Sequence, residues 1–391
     1  MAVSRNRDKV KIGIIGVGQI GKIHLENYQK IPGAEIAAIA DVDKPEVRRV
    51  AGLFKVPSCY FDVQDLLARE DLDAVDVCLH NNYHLPYTVA ALKSGKHVYC
   101  EKPMAGTYRD AETMLAEARK RRKMLSIQLV TLFSWETKAA KALIEDGRLG
   151  RVYHGRSTGY RRRGRPFVDG YGTSNFVKQE VAAGGALFDM GVYHIAQVLY
   201  LLGNPEVLTI TGGTYQETEM DAARRASSGY NVEELGVGFA RLAGGVTLDI
   251  IEAWAVHLNP FEGSCVVGCN GGIRLEPFGY YHNIGDLETN SSVDLERFDW
   301  RQHTVRCVGD VYDSPQHHWV AALEGRVDLL PTAEVALNTM LISEGIYLSH
   351  KLGREVTADE VRATSQSLAV KMRKPARAAA GASLKAKGPN R

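Results

Sequence analysis

The chain has 391 residues, 45% of them hydrophobic and 24% charged, which suits two globular domains and excludes wholesale disorder or a small disulfide scaffold. No run approaches the ~18 consecutive apolar residues of a membrane span, and the polar, basic start reads as the approach to a strand rather than a secretory leader. The formal charge of +2 is unevenly placed: seven of the 48 Lys/Arg lie in residues 371–391, and the remaining 41 stand against 46 acidic residues. A nucleic-acid footprint over the body is therefore not expected, and 371–391 reads as a solvated basic tail. Six cysteines without regular spacing read as reduced thiols of a cytoplasmic protein. Cys265 and Cys269 lack a second ligand pair, so no metal site is expected.

Taken in order, the first part alternates strand and helix. Strands are expected over 10–15, 35–40, 74–79, 97–100 and 125–129. Helices are expected over 20–30, 45–54, 62–68, 87–94 and 108–122. That alternation implies a doubly wound parallel sheet, an α/β unit over 1–130. From 131 to 370 the texture changes. A helix over 185–202 is followed by strands over 207–212, 234–242, 246–255, 265–269 and 271–276, with Gly244-Gly245 and Gly271-Gly272 as hairpin turns. Helices over 316–323 and 332–349 close the pattern. This second unit reads as α+β with an open, mainly antiparallel sheet, whose uncovered face implies a homodimer or homotetramer.

Gly16, Gly18 and Gly21 form a GxGxxG turn between the first strand and helix, with Gln19 and Ile20 opening the helix. The first glycine permits the tight turn, the second lets a pyrophosphate approach the backbone, and the third lets helix and sheet pack closely. Asp41 ends the second strand 20 residues after Gly21. A carboxylate there accepts from ribose hydroxyls and repels a 2′-phosphate, which favours NAD over NADP. Lys102 follows the strand 97–100, at the edge where open α/β sheets bind ligands. Asp189 and Tyr193, four apart, share one face of the 185–202 helix, and His194 is turned about 100° away.

The GxGxxG start, the Asn81 and His84 loop, the segment GKHVYCEKP, the helix GGALFDMG and the closing GREV resemble the Gfo/Idh/MocA oxidoreductases in order over residues 10–358. The resemblance implies a Rossmann domain and an α/β partner domain. It also implies reversible hydride transfer between NAD and a sugar, glycoside or cyclitol. It puts Asn81, His84 and Glu101 beside the cofactor, matches Lys102 to the family's catalytic lysine, and matches Asp189 to its helix aspartate. Two departures stand out. Tyr193 occupies the position where many members carry His, with His194 next to it, and His80 replaces the usual Pro of a Thr-Pro-Asn segment. The base is therefore Tyr193 or His194. Arg161, Arg163, Tyr171 and Lys178 are the candidate substrate contacts. Two other readings share the fold: a redox-neutral glycoside-processing enzyme with retained NAD, and a non-catalytic nucleotide sensor. The intact Lys102, Asp189 and Tyr193 set argues against the sensor.

Overall fold

A computed structural model describes residues 9–259 and 261–372; the basic stretch from 373 onward lies outside them. Six strands form the first sheet: Val10–Ile15 (β1), Ala34–Ala40 (β2), Cys59–Tyr60 (β3), Ala74–Val77 (β4), His97–Cys100 (β5) and Leu125–Ile127 (β6). They run parallel in the order β3-β2-β1-β4-β5-β6. Helices Gln19–Tyr28 (α1), Lys44–Phe54 (α2), Val63–Leu67 (α3), Asn81–Lys93 (α4) and Tyr108–Arg121 (α5) connect them. Every residue of β4 is buried, as a strand covered on both faces requires. The strand order reverses between β1 and β4, and that switch point opens a crevice at their carboxyl ends.

α4 begins six residues before the expected helix start, because Pro86 lies inside it. Pro86 has no N–H to give the carbonyl of Asn82. Val370 N supplies the missing donor at 3.0 Å.

After helix Trp135–Glu145 (α6) comes the nine-residue strand Val152–Tyr160 (β7), which the sequence reading missed. Its inward positions are Gly155, Ser157 and Gly159 rather than large apolar residues. A Cβ at Gly155 would lie 2.5 Å from Val198, and one at Gly159 would lie 1.9 Å from Glu252. The period-2 signal is thus carried by absent side chains. Helix Gln179–Ala182 (α7) precedes a wide π turn, Leu187–Gly191, that leads into Val192–Leu201 (α8). The expected strands follow as Val207–Tyr215 (β8), Leu235–Leu242 (β9), Val246–Ala253 (β10), Cys265–Gly268 (β11) and Gly271–Arg274 (β12), with Ala222–Ser228 (α9) between β8 and β9. Strands Gly279–Ile284 (β13) and Leu287–Ser291 (β14) and helix Leu295–Thr304 (α10) are additions. Pro315–Leu323 (α11), Thr332–Leu352 (α12), Val356–Thr357 (β15) and Ala358–Thr364 (α13) finish the chain.

The nine-stranded sheet runs β14-β13-β12-β11-β7-β10-β9-β8-β15, antiparallel except for β10 against β7. α8 packs on β7, and α12 packs on β8 and also on α5 and β6. Thr332 Oγ1 at the head of α12 accepts from Ile127 N of β6 at 3.0 Å. One apolar core, from Val77 and Ile127 through Ala196 and Ile250 to Leu341, runs across both sheets. Among the described residues no helix is long and apolar enough to cross a membrane.

The last described residues are tied down: Leu368 N donates to Asp110 Oδ2 at 3.0 Å, as Val370 N does to Asn82 O at the same distance. Truncation after Ser367 should cost about 1–3 kcal/mol through the two stranded acceptors, whereas truncation after Met372 leaves both bonds. Thermal melts of the two shortened chains distinguish these outcomes, and equal Tm values would contradict them.

Candidate active site

The glycine turn is built as a cradle. Gly16 adopts φ 91°, and a Cβ there would lie 2.3 Å from the carbonyl oxygen of Cys78. Gly21 faces Gly16 O, 2.1 Å from a would-be Cβ, so helix and strand touch only because both lack side chains. Gly18 is different: nothing lies within 4 Å of its Cβ position. It caps α1 without a side-chain partner, and the helix N–H groups headed by Gln19 and Ile20 face this opening. Asp41 accepts from Val17 N at 2.9 Å and from Asp43 N at 3.0 Å. Each oxygen keeps a lone pair for another donor. An open floor, free helix N–H groups and an acceptor at the β2 edge fit a dinucleotide. Arg48 stacks 4.9 Å over Phe61, and Arg49 pairs with Glu46 at 2.8 Å, so both have partners of their own.

Lys102 leaves the carboxyl end of β5 and crosses to the second sheet. Its Nζ lies 3.0 Å from Asp189 Oδ1, 2.9 Å from the Asp189 carbonyl, and 4.6 Å from the centre of the Tyr193 ring. Burial disfavours the ammonium, but Asp189, Tyr193 and Glu101 outweigh it and raise the Lys102 pKa. Lys102 is therefore held as a cation. Asp189 sits in the π turn, a wide turn frequent at functional sites. Its second oxygen accepts from Trp254 Nε1 at 3.0 Å and faces Arg161 at 3.9 Å. Burial pushes the Asp189 carboxyl up, but Lys102 and Trp254 hold it below its ordinary value.

Tyr193 and His194 part company. Burial raises the Tyr193 phenol, and Lys102 beside the ring only partly offsets it. Tyr193 rests as the phenol. His194 turns to the sheet: its Nδ1 lies 2.9 Å from Glu252 Oε2, and Ser157 Oγ donates to the other Glu252 oxygen at 2.8 Å. Burial alone would lower the His194 pKa, but Glu252 raises it. Among the described residues no hydrogen bond or ion pair joins His194 to Lys102 or Asp189.

The other predicted residues scatter around this centre. His84 is fully buried and spans Pro103 O at 2.8 Å and Leu79 O at 2.9 Å, holding the turn that carries Lys102. Asn81 donates to Ala182 O at 2.7 Å, docking α4 on α7. Glu101 faces His24 and the backbone N–H of Lys102, each at 2.9 Å. His80 packs edge-on to Phe176, and burial lowers its pKa. Arg161 donates to the Tyr171 hydroxyl, which in turn donates to Gly164 O at 2.8 Å. Arg163 is exposed and pairs with Asp169 at 3.4 Å. Arg165 is wholly buried against Asp169 and Glu234, each at 2.9 Å, so it pins its own loop. Lys178 heads α7, and among the described residues it forms no salt bridge. One trio, His24, Asp76 and Cys78, brings ligand-type atoms within 4.8 Å of one another, a grouping the sequence reading did not foresee.

The sequence reading also missed Trp254 and Glu233. Glu233 accepts from Gly185 N at 2.7 Å and Leu187 N at 2.9 Å, at the head of the turn that presents Asp189. A Cβ at Gly185 would sit 1.8 Å from the Glu233 carbonyl oxygen, which is the physical reason for glycine there.

Comparison with known families matches residues 10–129 to the "Oxidoreductase family, NAD-binding Rossmann fold" and 137–274 to the "GFO/IDH/MocA C-terminal domain". The chain belongs to the GFO/IDH/MocA oxidoreductase family. It is 29% identical over 289 residues to a D-glucoside 3-dehydrogenase of Escherichia coli, covering 72% of this chain and 81% of that protein. It is 31% identical over 194 residues to a myo-inositol 2-dehydrogenase of Thermotoga maritima, where the match covers 50% of this chain and 55% of the relative. An oxidoreductase from Agrobacterium radiobacter, solved in complex with NAD+, L-tartaric acid and magnesium, shares the fold with a TM-score of 0.71 and 21% identity, covering 90% of this chain and 99% of that one.

In this GFO/IDH/MocA chain, burial lifts the Glu233 carboxyl to about 7, despite the amides of Leu187 and Gly185. Between the ordinary carboxylate value and 7 the unfolded chain has lost a proton that the folded chain retains, so this group makes stability fall with rising pH. Replacing Glu233 with Gln should therefore favour the variant relative to wild type by about 2 kcal/mol between pH 5 and pH 7, with the gain levelling off above about pH 8. Denaturant unfolding at the two pH values measures the gap; a gap independent of pH would contradict the assignment.

Proposed function

We propose that the chain is an NAD(H)-dependent oxidoreductase that moves a hydride between nicotinamide and a hydroxyl or keto carbon of a sugar, glycoside or cyclitol. The observation that carries the reading is the Lys102–Asp189–Tyr193 cluster at the sheet edge beside the open glycine cradle. The printed activities of the glucoside and inositol relatives support the substrate class. Residues 1–130 would hold the cofactor and 131–370 the substrate.

Gly16, Gly18, Gly21, Gln19 and Ile20 would hold the diphosphate and Asp41 the adenosine ribose, while Asn81, His84 and Glu101 shape the nicotinamide end. NAD supplies the hydride acceptor in oxidation and, reduced, the donor. The chain's own part is proton handling and orientation. Tyr193, a resting phenol, is suited to give its proton to a carbonyl oxygen and take it back from a hydroxyl. Lys102, held as a cation, stabilises the phenolate that takes the proton in oxidation and forms again in reduction, and the anionic oxygen of the substrate. Asp189 fixes Lys102 and accepts from a neighbouring hydroxyl. Arg161, which faces Asp189 at 3.9 Å and donates to Tyr171, would contact the substrate together with Tyr171, Arg163 and Lys178. His194 is the alternative base, and its engagement with Glu252 makes Tyr193 the stronger candidate.

Tyr193→Phe should lower kcat for sugar oxidation by ~10² or more, leave NAD affinity nearly unchanged, and abolish the rise of rate with pH that a phenol base imposes. Steady-state kinetics on a panel of glycosides and cyclitols, read at the reduced-nicotinamide absorbance, measures this. If Tyr193→Phe stays active while His194→Asn is dead, the base is His194. Asp41→Ser should narrow the preference for NAD over NADP by removing the charge that repels the 2′-phosphate. A wild-type kcat/KM higher with NADP would contradict the Asp41 assignment.

We further propose that the protein is a cytoplasmic homodimer or homotetramer. All six cysteines are free, which fits a reducing compartment. Tyr153, Leu208 and Tyr215 are exposed on β7 and β8 of the sheet on which α8 and α12 pack. Sedimentation at micromolar concentration should give a dimer or tetramer, and a monomeric species would contradict it.

A further inference from the structure

Behind Lys102 lies a buried polar group that the proposed chemistry leaves unused. His24 lies on α1, three residues past Gly21, and is 1% exposed. Its Nδ1 is 2.8 Å from Asp76 Oδ2 on β4, and its Nε2 is 2.9 Å from Glu101 Oε1 after β5. Carboxylates only accept, so an imidazole with one at each nitrogen donates from both and carries a positive charge. Burial opposes that charge, but Asp76 and Cys78 overcome it and raise the His24 pKa. The Cys78 thiol, itself pushed up by burial, donates to Asp76 Oδ1 at 3.4 Å and stands 3.3 Å from His24 Nδ1. The ion pair on both sides accounts for the ligand-like spacing of His24, Asp76 and Cys78 without a cation.

Glu101 has two oxygens and uses them in opposite directions. Oε1 meets His24, and Oε2 accepts from the backbone N–H of Lys102 at 2.9 Å. The line Asp76–His24–Glu101–Lys102 therefore starts in the middle of the parallel sheet and ends on the main chain of the residue whose side chain reaches Asp189 and Tyr193. It also anchors on α1, the helix whose first turn closes the glycine cradle. His84 supports the same turn from its other side through Pro103.

We propose that His24 is a positioning residue: held by Asp76, its side chain clamps Glu101 and, through Glu101, sets the main chain of Lys102 so that Nζ meets Asp189 and the Tyr193 ring. This inference rests on the reading of Lys102 as part of the reaction centre. A small displacement of a reacting group is enough to matter, since an error of about 1 Å can cost ~10²-fold in rate. A merely structural His24 would lower stability and leave the turnover of folded enzyme alone.

The test is a set of three variants of the full-length enzyme, His24→Gln, Glu101→Gln and the double variant, assayed with NAD and a glycoside that the wild type oxidises. His24→Gln should lower kcat by about tenfold or more while the Kd for NAD stays within about threefold of wild type. Because His24 acts through Glu101, the double variant should have the kcat of Glu101→Gln alone. Losses that multiply in the double variant, or a His24→Gln kcat within about twofold of wild type, would overturn the proposal. If His24→Gln does not fold, Asp76→Asn, which keeps the volume and one acceptor, carries the same test: reduced kcat at unchanged NAD affinity supports the clamp, and unchanged kcat overturns it. Lys102→Met separates the two levels. If that variant keeps wild-type kcat, the reading of the reaction centre fails; if it is inactive while His24→Gln is unimpaired, only the clamp fails.

Discussion

The ammonium of Lys102 joins the two sheets of this molecule. It starts two residues past the end of β5 and ends between the Asp189 carboxylate and the face of Tyr193, both on the helical segment under the nine-stranded sheet. With side chains 15% and 21% exposed, the Lys102–Asp189 pair is shielded enough that losing one partner strands a charge, a situation worth about 3–5 kcal/mol in buried pairs. The pair therefore specifies how the substrate-side helix sits on the Rossmann sheet, and it fixes the charge of the site. Trp254, which gives its indole N–H to Asp189, and Glu233, which caps the turn before it, maintain the same geometry from the second sheet.

The rest of the arrangement follows from bringing backbone close to backbone. The glycine cradle exists because Gly16 and Gly21 leave no room for side chains, while Gly18 opens onto space. The helix carrying Asp189 approaches β7 because Gly155 and Gly159 are bare, and it turns tightly at Gly184-Gly185 because Glu233 and Phe188 fill the places of side chains. The large apolar core that spans both sheets then makes the two halves one packed body. The turns after β4 and β5 meet the α7–α8 segment through Asn81–Ala182 and Lys102–Asp189.

Five of the six strands of the first sheet were legible because buried parallel strands are written as unbroken apolar runs; β3, only two residues long, was not. The GxGxxG turn, Asp41, Lys102, Asp189 and Tyr193 were legible because each stands at a fixed distance from a strand or helix end. β7 was not, since its inward face is glycine and serine. The early start of α4 was hidden because Pro86 reads as a breaker, and its compensating donor is 284 residues away, on Val370. Trp254 and Glu233 belong to the site only through pairings between distant strands and turns, which local patterns do not encode. The electrostatic balance was equally hidden: whether Lys102 lowers Tyr193 below its ordinary pKa depends on how deeply the ring is buried and on where Glu101 and Asp189 lie.

If Lys102 holds the proton-transfer centre together without itself binding the cofactor, its loss is felt in the chemical step and not in NAD binding. Single-turnover formation of reduced nicotinamide, after mixing NAD-saturated Lys102→Met enzyme with a glycoside that the wild type oxidises, tests it most directly. The rate constant should be lower by ~10² or more with the Kd for NAD unchanged, as the loss of charge stabilisation and positioning requires. A single-turnover rate equal to that of the wild type would contradict it.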